Sequence, residues 1–227
     1  MFKRIYMFIR NKIENVYINI TAATRRKKLI NTQFTIISNN CWAGHVYRYF
    51  GLKYLTPTIG LYFMADDYLK FIKNLEYYLK CDIKFIDYSK SKYKEEIYKR
   101  KQTNIPIGVL DDIEVVFLHY KTSEEAQLKW KKRANRVNFD NVIIKFSQQN
   151  LCTNEHIKAF DSLNLKKIVF VNKPNKEWNS AIYYPGYENE LYVRDDITNF
   201  RKYLDITEFI NSPESKYDLN NEINKFS

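Results

Sequence analysis

Residues 142–171, VIIKFSQQNLCTNEHIKAFDSLNLKKIVFV, decide the fold class of this chain. They open with the apolar run 142–146, which only Lys145 interrupts. Thr153 has the side chain of a helix N-cap and precedes a helical pattern. A second apolar run at 168–171 follows that pattern. A strand, a helix and a strand in this order predict two parallel strands that are joined by a crossover helix and covered on both faces.

The same alternation of apolar runs and helical patterns precedes this unit. Residues 66–80 place four leucine and isoleucine side chains on one face of a helix. Asp111 and Asp112 separate two apolar runs by two residues, the length of a tight turn, which predicts an antiparallel hairpin. Ser123 is expected to cap the following helix, which continues toward Arg136. The predicted strands are 34–37, 83–86, 105–110, 113–120, 142–146 and 168–171.

These elements predict an α/β fold. We expect a Rossmann-like three-layer sandwich, in which helices cover a mainly parallel sheet and an antiparallel hairpin is inserted. The 227 residues are enough to bury a substantial core. We divide the chain into a basic amphipathic segment at 1–31, a single α/β domain at 32–211 and a C-terminal tail at 212–227.

The basic excess is concentrated at the N-terminus. Residues 1–31 hold eight basic side chains and one acidic one, which is +7 of a total formal charge of +11. The remainder of the chain is nearly balanced and shows no nucleic-acid-binding motif, so we expect no nucleic-acid partner. Apolar residues recur at roughly helical spacing within residues 2–20, which predicts an amphipathic basic helix. Such a helix packs on its own domain or lies on an anionic membrane surface.

Several common classes of protein are excluded by composition. The five glycines are spaced too widely for a dinucleotide-binding turn or a phosphate-binding loop. The three cysteines are odd in number and lack a C-x-x-C spacing, which favours a reduced, cytoplasmic setting. No apolar stretch is long enough for a membrane-spanning helix. We therefore expect a cytoplasmic protein, with membrane association through residues 1–31 as an added contact.

Five segments carry a resemblance to a known family. They are ISNNCWAG at 37–44, PTIGLYF at 57–63, IPIGVLDDIEVVFLHY at 105–120, WKKRANRVNFDN at 130–141 and CTNEHIKAFDSL at 152–163. In this order they resemble a bacterial family of uncharacterised proteins that are often labelled exopolysaccharide biosynthesis proteins. The resemblance spans roughly residues 33–172 and leaves the basic N-terminal segment outside. It implies a part in exopolysaccharide or capsule assembly, and it assigns no catalytic residue.

The loop after the first predicted strand is the leading binding site. Ligands of open α/β sheets bind beyond the carboxyl ends of the strands. Asn39 and Asn40 can donate and accept hydrogen bonds to a sugar, and Trp42 can stack on its apolar face. Alternatively, the two asparagines build the turn, Trp42 fills the core and His45 caps the next segment.

A second binding feature is a pair of arginines at the end of a helix. Arg133 and Arg136 are three residues apart and can share one helix face. Two guanidinium groups in that arrangement can grip a phosphate or a diphosphate. The alternative is a solvated helix end whose cations complement the helix dipole.

The catalytic group stays open at this stage, with His45, His119, Asp111 and Asp112 as candidates. His119 is at a strand end, where a general base can lie. Carboxylate pairs such as Asp111 and Asp112 can hold Mg²⁺ or Mn²⁺, but they are also common at turns. The histidines and cysteines have no zinc-ligand spacing, so we assign no metal site.

Two functions remain open. The first is a transferase of a sugar or phosphate group that uses an activated sugar in exopolysaccharide assembly. The second is a non-catalytic carbohydrate-binding or assembly module at the membrane surface. A fold class does not choose between them, so whether the protein is an enzyme also stays open.

Overall fold

The structure, a computed structural model, describes residues 16–213. Residues 1–15 and 214–227 lie outside the described part. Most of the predicted basic helix within residues 2–20, and nearly all of the predicted tail at 212–227, therefore fall outside it.

The described residues form helices and strands in alternation. The strands are Thr35–Ser38 (β1), Lys84–Ile86 (β2), Ile107–Leu110 (β3), Ile113–Val116 (β4), Val142–Ser147 (β5), Lys166–Val171 (β6) and Ala181–Tyr183 (β7). The helices are 16–26 (α1), Trp42–Phe50 (α2), Ala65–Lys73 (α3), Leu75–Lys80 (α4), Lys94–Lys99 (α5), Ser123–Ala134 (α6), Asn154–Asp161 (α7), Asp196–Asn199 (α8) and Ile206–Asn211 (α9).

The main sheet has four parallel strands in the order β1, β5, β6, β7. Strand β5 lies in its interior, where Ile143 pairs with Ile36 of β1 and Phe146 with Val169 of β6. The crossover unit β5–α7–β6 is confirmed, and Thr153 is the N-cap of its helix. Strand β7 was not predicted because three residues, Ala-Ile-Tyr, are too short to show a pattern.

The predicted hairpin is confirmed, but it belongs to a second sheet. Strands β3 and β4 are antiparallel and turn at Asp111 and Asp112. Strand β2 pairs with β3, so that Phe85 faces Gly108, and the three strands form a separate antiparallel sheet. The sequence predicts a strand at 83–86 but not which sheet it joins. The pairing of β2 with β3 depends on a close approach at Gly108, where an added Cβ would lie 2.4 Å from Cδ1 of Ile83.

Two apolar layers cover the main sheet and confirm the α/β class. On one face, α2, α9 and the turn that contains Phe200 pack on side chains such as Ile36, Ile143 and Phe170. On the other face, α3, α6 and α7 pack on Ile144 and Val169, together with part of the small sheet. Alternate residues of β1 and β5 thus enter different cores, as expected for strands buried on both faces.

Two local predictions need correction. The helix expected at 66–80 is two helices, because the backbone of Asn74 leaves helical geometry (φ −130°, ψ 46°). The N-cap of α6 is Thr122 rather than Ser123. Thr122 has an extended backbone, and its hydroxyl accepts a hydrogen bond from the N–H of Glu125 at 3.2 Å. Ser123 already has helical geometry and so cannot be the cap.

Between residues 16 and 213, no helix is both long and apolar enough to cross a membrane.

Candidate functional site

The carboxyl ends of the parallel strands form an edge rich in amide side chains. Asn39 and Asn40 follow β1, Gln148 and Gln149 follow β5, and Asn172 follows β6. We call this region the polar edge. Parallel strands end on the same side of a sheet, so these side chains are brought together from three separate parts of the chain. Open α/β sheets bind ligands on this side.

A buried ion pair anchors the polar edge. Nζ of Lys145 lies 2.5 Å from Oδ2 of Asp196, and the two side chains are 0% and 1% exposed. The ammonium also donates to Oδ1 of Asn40 at 3.0 Å and to the hydroxyl of Ser147. Three acceptors therefore match its three N–H donors, which is the condition for burying a charge without a large penalty.

Asp196 is equally well satisfied. Its Oδ2 accepts from the Asn40 amide at 2.9 Å and the Ser147 hydroxyl at 2.5 Å, and its Oδ1 accepts from Gln149 at 2.8 Å. Burial by itself would raise the pKa of Asp196, but the Lys145 ammonium and these hydrogen bonds outweigh burial and hold that pKa below its ordinary value. The carboxylate is therefore ionised at neutral pH. We call Asn40, Lys145, Ser147, Gln149 and Asp196 the Lys145–Asp196 network.

Burial lowers the pKa of Lys145, while the Asp196 carboxylate opposes that effect. The aromatic rings of Trp42 and Phe170 lie 5.7 Å and 5.2 Å from the ammonium and add cation–π attraction. No motif of the sequence predicts this network. Its one signal was a lysine within an apolar strand, and Asp196 lies 51 residues further along the chain.

A cavity of about 570 Å³ opens at the polar edge, beyond β5 and β6 and beside the start of α7. Its lining combines amide groups, one indole and charged side chains. The residues are Gln148, Cys152, Thr153, Asn154, Glu155, Asn172, Lys173, Pro174, Asn175, Trp178, Glu190 and Leu191. We call it the edge cavity.

The network holds one wall of the edge cavity in place. The wall is the segment 190–193, whose Glu190 carbonyl accepts from the Asn172 amide at 2.5 Å. The Val193 N–H donates to the Gln148 carbonyl at 3.0 Å, and the Val193 carbonyl accepts from Gln149 at 2.6 Å. Because Gln149 also donates to Asp196, the buried ion pair and the cavity wall share one hydrogen-bonded chain.

The start of α7 forms another wall and carries a histidine capping box. The Thr153 N–H donates to Nδ1 of His156 at 3.0 Å, and Nε2 of the ring lies 2.8 Å from Asp66. A neutral ring that accepts a hydrogen bond at Nδ1 carries its proton at Nε2. The Nε2–H group then donates a hydrogen bond to the carboxylate. This arrangement fixes the first turn of α7 beside the cavity.

The three side chains of the predicted saccharide loop serve the sheet and its core. The amide of Asn39 pairs with the backbone N–H and carbonyl of Ser147, at 3.1 Å and 3.2 Å. Asn40 belongs to the Lys145–Asp196 network. Trp42 is completely buried, with its ring edge-on to Phe200 at 5.3 Å. None of the three lines the edge cavity, and in this conformation the ring of Trp42 has no free face for a ligand.

Cys41, His45 and His119 lie outside the edge cavity. Burial raises the pKa of Cys41 to about 11, so its thiol stays protonated at neutral pH. Burial, followed by the nearby Arg48, lowers the pKa of half-buried His45. The imidazoles of His45 and His119 have no hydrogen-bond partner within the described part of the chain, and His119 is exposed. The structure therefore pairs neither histidine with an orienting group.

Arg133 is in the last turn of α6, whereas Arg136 lies two residues beyond its end, so the two do not share a face of that helix as expected. Both side chains contact the segment 54–59. Nη1 of Arg133 donates to the Tyr120 hydroxyl at 2.6 Å, and its guanidinium lies 5.4 Å from the centre of the Tyr54 ring. Nη1 of Arg136 donates to the Tyr54 carbonyl at 3.3 Å. Both arginines are half-buried and away from the edge cavity, so their observed contacts position a loop.

The two aspartate pairs have separate partners. Asp111 and Asp112 accept from tyrosine hydroxyls at 2.8 Å and 2.7 Å, and Asp112 also pairs with Lys70. The adjacent Asp66 and Asp67, at the start of α3, also have separate partners: Asp66 contacts His156, while buried Asp67 pairs with Lys92 and accepts from a backbone N–H. Across residues 16–213, no three His, Cys, Asp or Glu side chains come together in a group that could hold a metal ion.

Comparison with known proteins gives two matches. The family model described as a domain of unknown function (DUF1919) matches residues 12–212. An uncharacterised protein of Haemophilus influenzae is 30% identical over 205 residues, which covers 88% of this chain and 92% of that protein. The family match begins at residue 12, so part of the basic N-terminal segment lies inside it, in contrast to the boundary near residue 33 that the sequence resemblance implied.

Proposed function

The chain belongs to the DUF1919 family, whose members share a domain of unknown function. On this premise we propose that it binds a saccharide in the edge cavity, as part of bacterial exopolysaccharide assembly. The observation that carries the proposal is the chemical character of that cavity. The proposed role of the protein in exopolysaccharide assembly rests on the sequence resemblance. The proposed class of ligand rests on the residues that line the cavity.

The lining offers what a sugar ring requires. Gln148, Asn154, Asn172 and Asn175 bring four amides to one cavity, and an amide offers a donor and an acceptor as a sugar hydroxyl does. Three of the four use one of these atoms inside the protein: the oxygens of Gln148 and Asn175 and the nitrogen of Asn172. Half-buried Trp178 offers an indole that can stack on the apolar C–H face of a ring. A volume of about 570 Å³ lies within the range of small-molecule sites.

The charged residues of the cavity bear on the kind of saccharide. Glu155 and Glu190 line the cavity, and carboxylates of this kind can accept hydrogen bonds from neutral hydroxyls. Lys173 and the positive end of the α7 dipole instead favour an anionic group, such as the phosphate of an activated sugar. The cationic side of the cavity supports the other candidate function, a sugar or phosphate-group transferase.

Binding is tested by calorimetric titration of the full chain with neutral hexoses, N-acetylhexosamines and their nucleoside diphosphate derivatives. We expect Trp178→Ala to weaken saccharide binding at least tenfold, because stacking contributes about 1 kcal/mol or more beside the contact area that is lost. Tyr98→Ala, at an aromatic ring that is 67% exposed on α5, is the matched control. No measurable binding across the panel, or equal loss in both variants, would contradict the proposal.

The same titration separates the two functions. A transferase should bind the nucleotide sugar more tightly than the free saccharide and lose that advantage in Lys173→Ala. A binding module should bind the nucleotide sugar and the free saccharide equally, and Lys173→Ala should change neither affinity. Arg133→Ala, whose side chain lies outside the cavity, is the charge control for this comparison.

A further inference from the structure

Helix α1 has two faces with different surroundings. Its inner face packs on the end of α2: Ala22 is buried, and Nε of Arg25 donates to the Tyr49 carbonyl at 2.8 Å. Arg26 donates to the carbonyl of Gly51 at 2.9 Å. These contacts come from residues 22, 25 and 26, beyond the predicted helix at 2–20, so the packing of that predicted helix on the domain stays a prediction.

The outer face of α1 is apolar and exposed. Val16, Tyr17 and Ile20 are 55%, 63% and 75% exposed, although such side chains are normally buried. Residues 16, 17, 20 and 23 are exposed at spacings of three and four, so they form one stripe along the helix. We call this stripe the outer face of α1.

The charged side chains of the segment 16–31 are all basic. Lys27 and Lys28 are exposed and continue the stripe beyond the helix. No acidic residue occurs anywhere in residues 16–31, and the first 31 residues have a charge of +7. Neither lysine has an ion-pair partner within the described residues. An apolar stripe with cations at one end is complementary to a lipid surface that combines acyl chains with anionic headgroups.

We propose that the outer face of α1 docks the protein on an anionic membrane surface. In the docked state Val16, Tyr17 and Ile20 insert among the headgroups. Lys27 and Lys28 then lie against the lipid phosphates. The inner face keeps the helix attached to the domain while the outer face is bound. The proposal is independent of the ligand of the edge cavity.

The test is co-sedimentation of the full chain with vesicles of phosphatidylcholine, with and without about 30% phosphatidylglycerol. We expect binding to the anionic vesicles only, and release when salt is raised from about 0.1 M to about 0.5 M. Val16→Ser with Ile20→Ser, and Lys27→Glu with Lys28→Glu, should each lower the vesicle affinity at least tenfold. The loss of apolar contact explains the first effect and charge repulsion the second.

Each variant has a matched control. Leu128→Ser removes an apolar side chain that is 70% exposed on α6. Lys94→Glu with Lys99→Glu makes the same charge change on exposed positions of α5. We expect both controls to bind vesicles as the wild type does, because these positions lie on other elements.

Other occupants of the outer face give different results. If a second copy or another part of this chain covered the face, Ile20→Ser would change the oligomeric state or lower the melting temperature more than Leu128→Ser does. Either result would overturn the proposal. So would equal binding to neutral and anionic vesicles, or no binding to either. All these measurements omit saccharide, so their failure leaves the proposal for the edge cavity to be decided by calorimetry.

Discussion

At the scale of single residues, Lys145 is the most informative side chain of the molecule. It lies in the middle of an interior strand, completely buried, and meets Asp196 from a helix 51 residues away. A buried ion pair does not by itself stabilise a protein, because removing two charges from water offsets most of their attraction. Such a pair can instead add specificity, because a shift of α8 against β5 would leave both charges buried and unpaired. We infer that the pair fixes the 190–196 segment and, through it, the wall of the edge cavity.

This interpretation predicts a large cost for removing either charge alone. Lys145→Met and Asp196→Asn should each lower the free energy of unfolding by about 3–5 kcal/mol, because the partner is left buried and unpaired. The double variant should lose less than the sum of the two, since no uncompensated charge remains. Urea denaturation of the four proteins measures these differences.

Ser147→Ala is the control for the ion pair. It removes one hydroxyl from the network and leaves Lys145 in contact with Asp196, so its cost should be about 1–2 kcal/mol. Single variants that lose no more than Ser147→Ala, or a double variant that loses the full sum, would show that the two charges are not energetically coupled.

At the scale of secondary-structure elements, glycine decides how the small sheet is built. Gly108 in β3 leaves room for Ile83 and Phe117, which a Cβ would approach to 2.4 Å and 2.9 Å. This close approach lets β2 lie against β3 and places the hairpin in its own sheet. The local sequence predicts the hairpin because its turn and strands are contiguous. It cannot predict the sheet, because pairing with β2 crosses the whole of α5.

Gly108→Ala is therefore expected to lower the free energy of unfolding by about 1–3 kcal/mol through overpacking. Gly44→Ala is the matched control. Its added Cβ meets only Ile59, at 3.4 Å, and alanine has the higher helix propensity within α2. We expect Gly44→Ala to be neutral or stabilising in thermal unfolding. Equal destabilisation by the two variants would contradict the role given to Gly108.

The cap of α7 also combines a feature that the local sequence predicts with one that only the packed structure shows. Thr153 was predicted as a cap because threonine before a helical pattern is a local signal. The partner that completes the box, His156, is less readily predicted, since the usual residue at that position is Glu or Gln. The contact of His156 with Asp66 joins α7 to α3, and only the packed structure shows it.

At the scale of the whole molecule, the ion pair should make stability depend on pH. The pKa of Asp196 is lower in the folded protein than in the unfolded chain, so its contribution is fully present above the unfolded value, near pH 4, and is lost as the pH falls toward the folded value. The difference in unfolding free energy between wild type and Asp196→Asn should therefore shrink between about pH 6 and about pH 3.

The other carboxylates are common to wild type and Asp196→Asn, so their effect cancels when the two proteins are compared at the same pH. Urea unfolding at each pH gives the measurement. A difference that stays constant across this range would mean that Asp196 is not held ionised by its partners, and a difference that grows would reverse the sign of the linkage.

The sequence by itself determined the α/β class, the parallel β5–α7–β6 unit, the hairpin and the cap of α7. Each follows from side-chain periodicity or turn chemistry within a few neighbouring residues, which act before any tertiary contact is made. The tertiary structure alone decided the split into two sheets, the addition of β7, the burial of Trp42 and the partner of Lys145. It also formed the edge cavity, whose lining comes from three stretches between residues 148 and 191. These features depend on groups that are distant in sequence and meet only when the strands have aligned their carboxyl ends, so no local pattern records them.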